Sequence, residues 1–231
     1  MTEFEQFINS YWQYYRELED EFLATRKYVD FYAENNDTFS VEYLKLFQAV
    51  CGEIDMLGKE MAMGRNPSFK PADSKNNILK WWYEIQEEYL FYDDIGSKSN
   101  PQILKDTEVS FLYGGIKKPW EDFTVETYRD TKGSLRYRCK DGCNNPSWWK
   151  DYNLVKHSRT LAIKDDPNKI NYFKANMGNT LSAFAALYTL EKAYMAVIGT
   201  RREREAFADG SRLFEKRGNI TTEDIEAIIN S

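Results

Sequence analysis

Histidine is almost missing from this sequence. His157 stands alone among 231 residues, so a two-histidine acid–base pair cannot be assembled within one chain. Cysteine is scarce too, with only Cys51, Cys139 and Cys143. An odd count behind an N-terminus without a secretory leader predicts reduced thiols rather than a disulfide framework. "CKDGC" at 139–143 invites a metal reading, but zinc takes four protein ligands, or three with an open position. Only Cys51 and His157 remain as soft partners, both on other elements, so the stretch reads as a turn carrying two thiols, and neither metal nor cofactor is expected. Six prolines and twelve glycines are too few for a linker-rich or collagen-like chain. Positive charge is not in excess: the net charge is −6 and the pI about 5.1. That excludes broad, non-specific attachment to nucleic acid, though not a local basic site. No run approaches ~18 consecutive apolar residues, so no membrane span is expected. The opening "MTEFEQFINSYWQYY" is acidic and aromatic where a secretory leader would be basic and then apolar. These features predict a cytoplasmic protein.

What is present is ordinary for a globular chain, 42% hydrophobic and 29% charged, except for a high aromatic content of 16%. Phe4, Phe7, Ile8, Tyr11, Tyr14, Tyr15, Leu18 and Phe22 recur at three- and four-residue steps and predict one long helix over 3–34, ended by "ENND". A second helix is expected from about Ser40 to Met63, with Leu44, Phe47, Cys51, Ile54, Gly58 and Met61 as its apolar stripe and Thr38 or Ser40 as cap. "GRNPSFKPADS" stops it. A third runs from Ser74 or Lys75 to Tyr92, a fourth over 148–163, and a fifth over 168–199. The centre of the fifth, "TLSAFAALYTL", is apolar on nearly every face and must be surrounded. Between the third and fourth, "EVSFLYGG", "FTVETYRD" and "SLRYRC" are short and β-prone, so residues 93–147 read as a hairpin or irregular arm inserted between helices. The expectation is an all-α fold: an antiparallel bundle of four to five long helices over 1–200 with the 93–147 insertion, and a charged extension over 201–231 containing a short capped helix.

The stretch "WWKDYNLVKHSR" at 148–159 holds the candidate site. Lys150, Asn153 and His157 are three and four residues apart and share one helix face. Trp148, Tyr152 and Val155 lie on another side and can anchor the helix in the core. Lys156 and Arg159 flank the face, and only Asp151 opposes them, a local basic excess in an acidic chain. A proton-transferring imidazole beside phosphate-holding cations suits metal-independent RNA cleavage, in which a 2′-hydroxyl attacks the adjacent phosphorus. That reaction needs a proton acceptor and a proton donor, and two facing copies of the helix in a symmetric dimer would supply both. The same residues also suit an ordinary solvated surface.

"YNLVKHSR", followed by "ANMGNTLSAFAALYTL", resembles the HEPN superfamily of all-helical proteins, and "FSVEYLKLFQAVCGEID" is similar to the second helix of bacterial members. The likeness covers roughly 1–90 and 146–198. It implies a homodimer with an Arg-spacer-His site at its interface, RNA cleavage of the toxin or anti-phage type, and an antitoxin or other protein partner. Asn153 and His157 match the Asn-three-residues-His part. The Arg position falls on Lys150, Asp151 or Tyr152, and Lys150 keeps the charge without the guanidinium fork that grips phosphate. By the same resemblance Asp55 in "CGEID" is the supporting acid, with Glu53 second, though Asp55 can equally pair with Lys59 one turn on. A non-catalytic interaction or RNA-binding module of the same fold stands as the alternative. Of the other features, Trp81-Trp82 and Trp148-Trp149 read as one core and one boundary ring each, and "RRERE" at 201–205 as a solvated helical face.

Overall fold

The computed structural model describes residues 1–72, 77–91, 102–164, 166–207 and 210–215. Its first helical rod is three segments: α1 (Glu3–Phe7), a π-helical turn (Ile8–Trp12) and α2 (Gln13–Ala24). Thr2 and Glu5 form a reciprocal capping box at its start. The π turn explains a mismatch between pattern and burial. An uninterrupted α-helix would carry the inward face from Phe7 on to Tyr11 and Tyr14. The wider turn inserts an extra residue and rotates the phase, so Trp12, Tyr15, Leu18 and Phe22 are buried while Tyr14 is 41% exposed. The rod ends at Ala24, ten residues before the expected boundary; a 3₁₀ turn (Thr25–Lys27) follows, with the Thr25 hydroxyl donating back to the Phe22 carbonyl.

Ser40 caps α3 (Val41–Arg65) through the Tyr43 amide. Helix α4 (Ile78–Ile85), capped by Asn77, is shorter than its apolar pattern suggests. The chain after it turns into β1 (Leu90–Phe91), paired with β2 (Gln102–Ile103). Then come β3 (Val109–Phe111), β4 (Ile116–Lys117), β5 (Val125–Arg129), β6 (Leu135–Cys139) and α5 (Ser147–Ser158). The stretches 159–163 and 168–175, assigned to helix on either side of a break, belong instead to a hairpin, β7 (Ala162–Ile163) with β8 (Asp166–Ile170), and a 3₁₀ turn (Asn171–Lys174). Only at Asn176, the cap, does α6 (Met177–Ile198) begin. A short α7 (Arg201–Ala206) and β9 (Phe214–Glu215) complete the described chain.

The expected all-α bundle is therefore incorrect. Among the described residues nine strands form four small antiparallel sheets beside the helices, a mixed α/β fold. The β-prone stretches of the 93–147 region are indeed strands, but the region is no detached arm. Trp120, Phe123, Val125, Leu104 and Val109 are buried with the helical core. The aromatic content explains why: Trp82, Trp120 and Phe123 stack face to face, with Trp82 4.4 Å from Trp120 and 5.0 Å from Phe123. Three of the indoles find acceptors here: Trp82 the Phe123 carbonyl, Trp120 the Thr189 hydroxyl, Trp148 the Pro119 carbonyl. Both tryptophan doublets are wholly buried, none of the four rings lying at a boundary. Gln86 acts as an honorary strand residue, its amide donating to the Val125 carbonyl and accepting from the Val125 amide at 2.8 and 2.9 Å.

Helix α6 is sheathed as its composition demands, with Ala183, Ala185, Ala186 and Leu187 fully buried, and α3 is its main neighbour. By length and apolarity alone it could cross a membrane, yet most of it is covered by the rest of the chain. Its first amides are received by the Thr38 and Asn36 carbonyls of the preceding loop. The 201–215 segment is not a free extension either: Leu213 and Phe214 are buried, and β9 adds to β3. The short helix expected near the C-terminus lies outside the described residues.

Gly58 shows how tightly α3 and α4 meet. A Cβ there would sit 2.6–2.8 Å from ring atoms of Trp81. The better helix propensity of alanine is worth about 1 kcal/mol, whereas forcing a methyl into a filled core costs about 1–3 kcal/mol. Gly58→Ala is expected to destabilise the protein by about 1–2 kcal/mol in urea unfolding, against the gain that a solvent-facing glycine such as Gly52 would give.

Candidate functional site

Helix α5 is anchored by Trp148, Trp149, Tyr152 and Val155, all buried. Its opposite side carries Lys150 and His157, both exposed, with Asn153 half-buried between them. The helical spacing thus places three predicted site residues on one outward face, with His157 in the last turn, where a cation is favoured by the helix dipole. Lys156 lies beside this face with its ammonium 5.3 Å from the centre of the Tyr152 ring, and Arg159, exposed, sits just past the helix end with its carbonyl accepting from the Tyr172 amide. Asp151, the one acid in the stretch, is turned inward: its carboxylate accepts from the Asn179 amide at 2.9 Å and lies 3.5 Å from Lys174. The exposed side of α5 is consequently more basic than the sequence count implies.

Two of the predicted residues have hydrogen-bond partners outside the face. The Asn153 amide donates to the Trp149 carbonyl one turn back, at 2.9 Å, so one of its two N–H groups is committed to its own helix. Asp55 receives Lys59 at 2.5 Å and the Trp81 indole at 3.1 Å. It faces α4, and the local pairing with Lys59 is the interaction that forms. It also influences Tyr152, whose hydroxyl is pushed up to about 12 by burial first and by Cys51 and Asp55 after it. Cys51 lies in the core beneath, its thiol pushed up by burial while the charge of Lys156 pulls the other way. Among the described residues no three His, Cys, Asp or Glu side chains gather as metal ligands.

No family model, curated protein or solved structure matches this chain. The likeness to HEPN proteins therefore rests on the residues quoted above.

One feature of the face went unread in the sequence. Leu154, between Lys150 and His157 on the same side, is 43% exposed, and Leu161 just beyond is 61% exposed. "NLVKHSRTL" shows both leucines within four residues of the histidine. The outward direction of Leu154 follows from the anchoring side that spacing gives to Trp148, Tyr152 and Val155, whereas Leu161 lies past the helix end at Ser158, where the spacing argument does not reach.

Proposed function

We propose that the outward side of α5 is an RNA-contacting surface, that two copies of the chain meet along it in a cytoplasmic homodimer, and that His157 transfers the proton in metal-independent RNA cleavage. Lys150, Lys156 and Arg159 hold the phosphates. The observation that carries the reading is the exposed His157 within an unopposed cationic face, Asp151 being engaged elsewhere. The exposed leucines beside it suit a seam between copies. A toxin or anti-phage role, with a neutralising protein partner, follows from the same reading.

A second reading has its own support. With one N–H of Asn153 bound to Trp149 and Asp55 bound to Lys59 and Trp81, the groups that would orient the reacting atoms are partly engaged elsewhere. That favours RNA or protein binding without cleavage. Incubation of the native protein and His157→Ala with a broad RNA panel separates the two. Cleavage lowered about 10²–10⁴-fold in the variant, with RNA affinity retained, supports proton transfer. Binding without cleavage in both leaves the second reading. Replacing Lys150, Lys156 and Arg159 by alanine is expected to flatten the salt dependence of RNA binding by up to about three charges; an unchanged slope removes α5 as the contact surface.

A further inference from the structure

At the other end of α5 lies a cavity of about 160 Å³ bounded by Lys117, Lys118, Pro119, Glu121, Pro146, Ser147, Trp148 and Ser182. Three separate parts of the chain build it: the strand β4 and its exit, the start of α5, and one turn of α6. The charges around it are unequal in their commitments. Lys118 is paired with Glu108 at 2.6 Å, with Glu121 3.9 Å away. Lys117 is half-buried and has no acid within ion-pair distance among the described residues. Partial burial lowers the pKa of its ammonium. A cation partly withdrawn from water in this way gains from an anion placed beside it.

Hydroxyl groups complete the lining. Ser182 donates to the Gly178 carbonyl at 2.9 Å, which leaves its oxygen free to accept only, whereas Ser147 makes no side-chain hydrogen bond among the described residues and can donate. Pro146 occupies the cap position of α5 and offers no side-chain acceptor, so the first turn is uncapped. The cavity and the unpaired lysine define the site, and the helix end adds a favourable field. Its volume suits one tetrahedral oxyanion rather than a whole nucleotide.

We propose that this cavity binds a phosphate group, with the Lys117 ammonium and the Ser147 hydroxyl as its principal donors. The site is independent of the RNA reading of His157, which lies ten residues further along the helix, about 15 Å away. The group is either free phosphate or the monoester end of a larger molecule.

Titration of the full chain with inorganic phosphate at constant ionic strength, followed by calorimetry and by thermal unfolding, tests it. Millimolar binding is expected, weakened about tenfold or more in Lys117→Met, several-fold in Ser147→Ala, and less in Lys118→Met, because Lys118 already has its acids. Competition with a 5′-phosphorylated dinucleotide and its 5′-hydroxyl counterpart identifies the source: displacement of phosphate by the first alone assigns a monoester, displacement by neither assigns the free ion. No binding of phosphate at about 20 mM, or binding indifferent to both Lys117→Met and Ser147→Ala, overturns the proposal. Ser147→Ala lies on the surface and keeps the test valid if the lysine variant folds poorly.

Discussion

Glu19→Ala should cost the protein about 3–5 kcal/mol and release its C-terminal segment. Glu19 is fully buried in α2, yet among the described residues it accepts more hydrogen bonds than any other side chain. One carboxylate oxygen accepts from the Tyr15 hydroxyl at 2.9 Å, the Arg212 amide at 2.9 Å, the Leu213 amide at 3.1 Å and the Ser211 hydroxyl. The other pairs with Arg16 at 2.7 Å, and Arg16 also reaches the Gly210 carbonyl. Residues 210–214 are thus folded around a single acid nearly two hundred positions earlier. Removing it breaks five hydrogen bonds at once; the Tyr15 hydroxyl and the Leu213 amide keep Ser211 and Arg16 keeps the Gly210 carbonyl, but the Arg212 amide loses its acceptor, and a buried group left unsatisfied costs about 1–3 kcal/mol. It also loosens Leu213 and Phe214, whose ring stacks on Tyr188 at 5.5 Å. In a chain of this size the loss corresponds to roughly 10 °C in Tm. Hydrogen exchange should show the amides of Arg212, Leu213 and the β3 partner residues opening before the rest, since the Leu112 amide bonds the Leu213 carbonyl. Glu19→Gln keeps an acceptor and should fall between. A Glu19→Ala protein within about 1 kcal/mol of native, with unchanged exchange at 212–214, would show the latch to be incidental.

That latch also marks where sequence reading stops. Periodicity finds elements whose residues are neighbours along the chain. It placed α3 almost to the residue, because Ser40 caps it and Leu44, Phe47, Cys51 and Ile54 follow one stripe. It foresaw that α6 is enclosed. It put Lys150 and His157 on one face of a helix, and that geometry is present. It failed wherever the deciding partner was distant. Nothing near Tyr11 announces the π turn; the Tyr11 hydroxyl donates to Glu60 on α3, and the extra residue delivers both that bond and the burial of Trp12. "RRERE" reads as solvated, and the buried Leu213 and Phe214 beyond it depend on Glu19. The 93–147 strands were visible, but their union with the helices needed Gln86, Trp120 and Thr189 to meet. At the site itself, the bond from Asn153 to Trp149 and the capture of Asp55 by Trp81 decide which groups are free, and neither is a matter of spacing to His157.

Glu191 is the converse of Glu19: an acid in the core that gains nothing from being there. It is 1% exposed, and one of its carboxyl oxygens is buried without any hydrogen-bond partner among the described residues. Burial raises its pKa well above the ordinary carboxyl value, and repulsion from Glu53 and from Glu19 adds to the rise. Tyr11 also faces it. The folded protein therefore holds a proton on Glu191 at pH values where the unfolded chain, with its carboxyl near 4.3, has released it. Folding binds that proton, so stability is undiminished by this group below the unfolded pKa and declines as pH rises from there towards the folded pKa. The contribution to the slope is at most about 1.4 kcal/mol per pH unit. Glu191→Met fills a similar volume with an unbranched apolar chain and leaves no polar atom unsatisfied. It should stabilise the protein by about 1–3 kcal/mol at pH 8, have little effect near pH 4, and remove the corresponding slope from the difference between the two stability curves. Glu191→Gln should abolish the slope as well but recover less stability, since a buried amide still wants partners. Denaturant unfolding of the native and variant chains across that pH range measures this directly. Parallel curves would mean that the carboxyl titrates alike in both states, and that water or a local opening satisfies it after all.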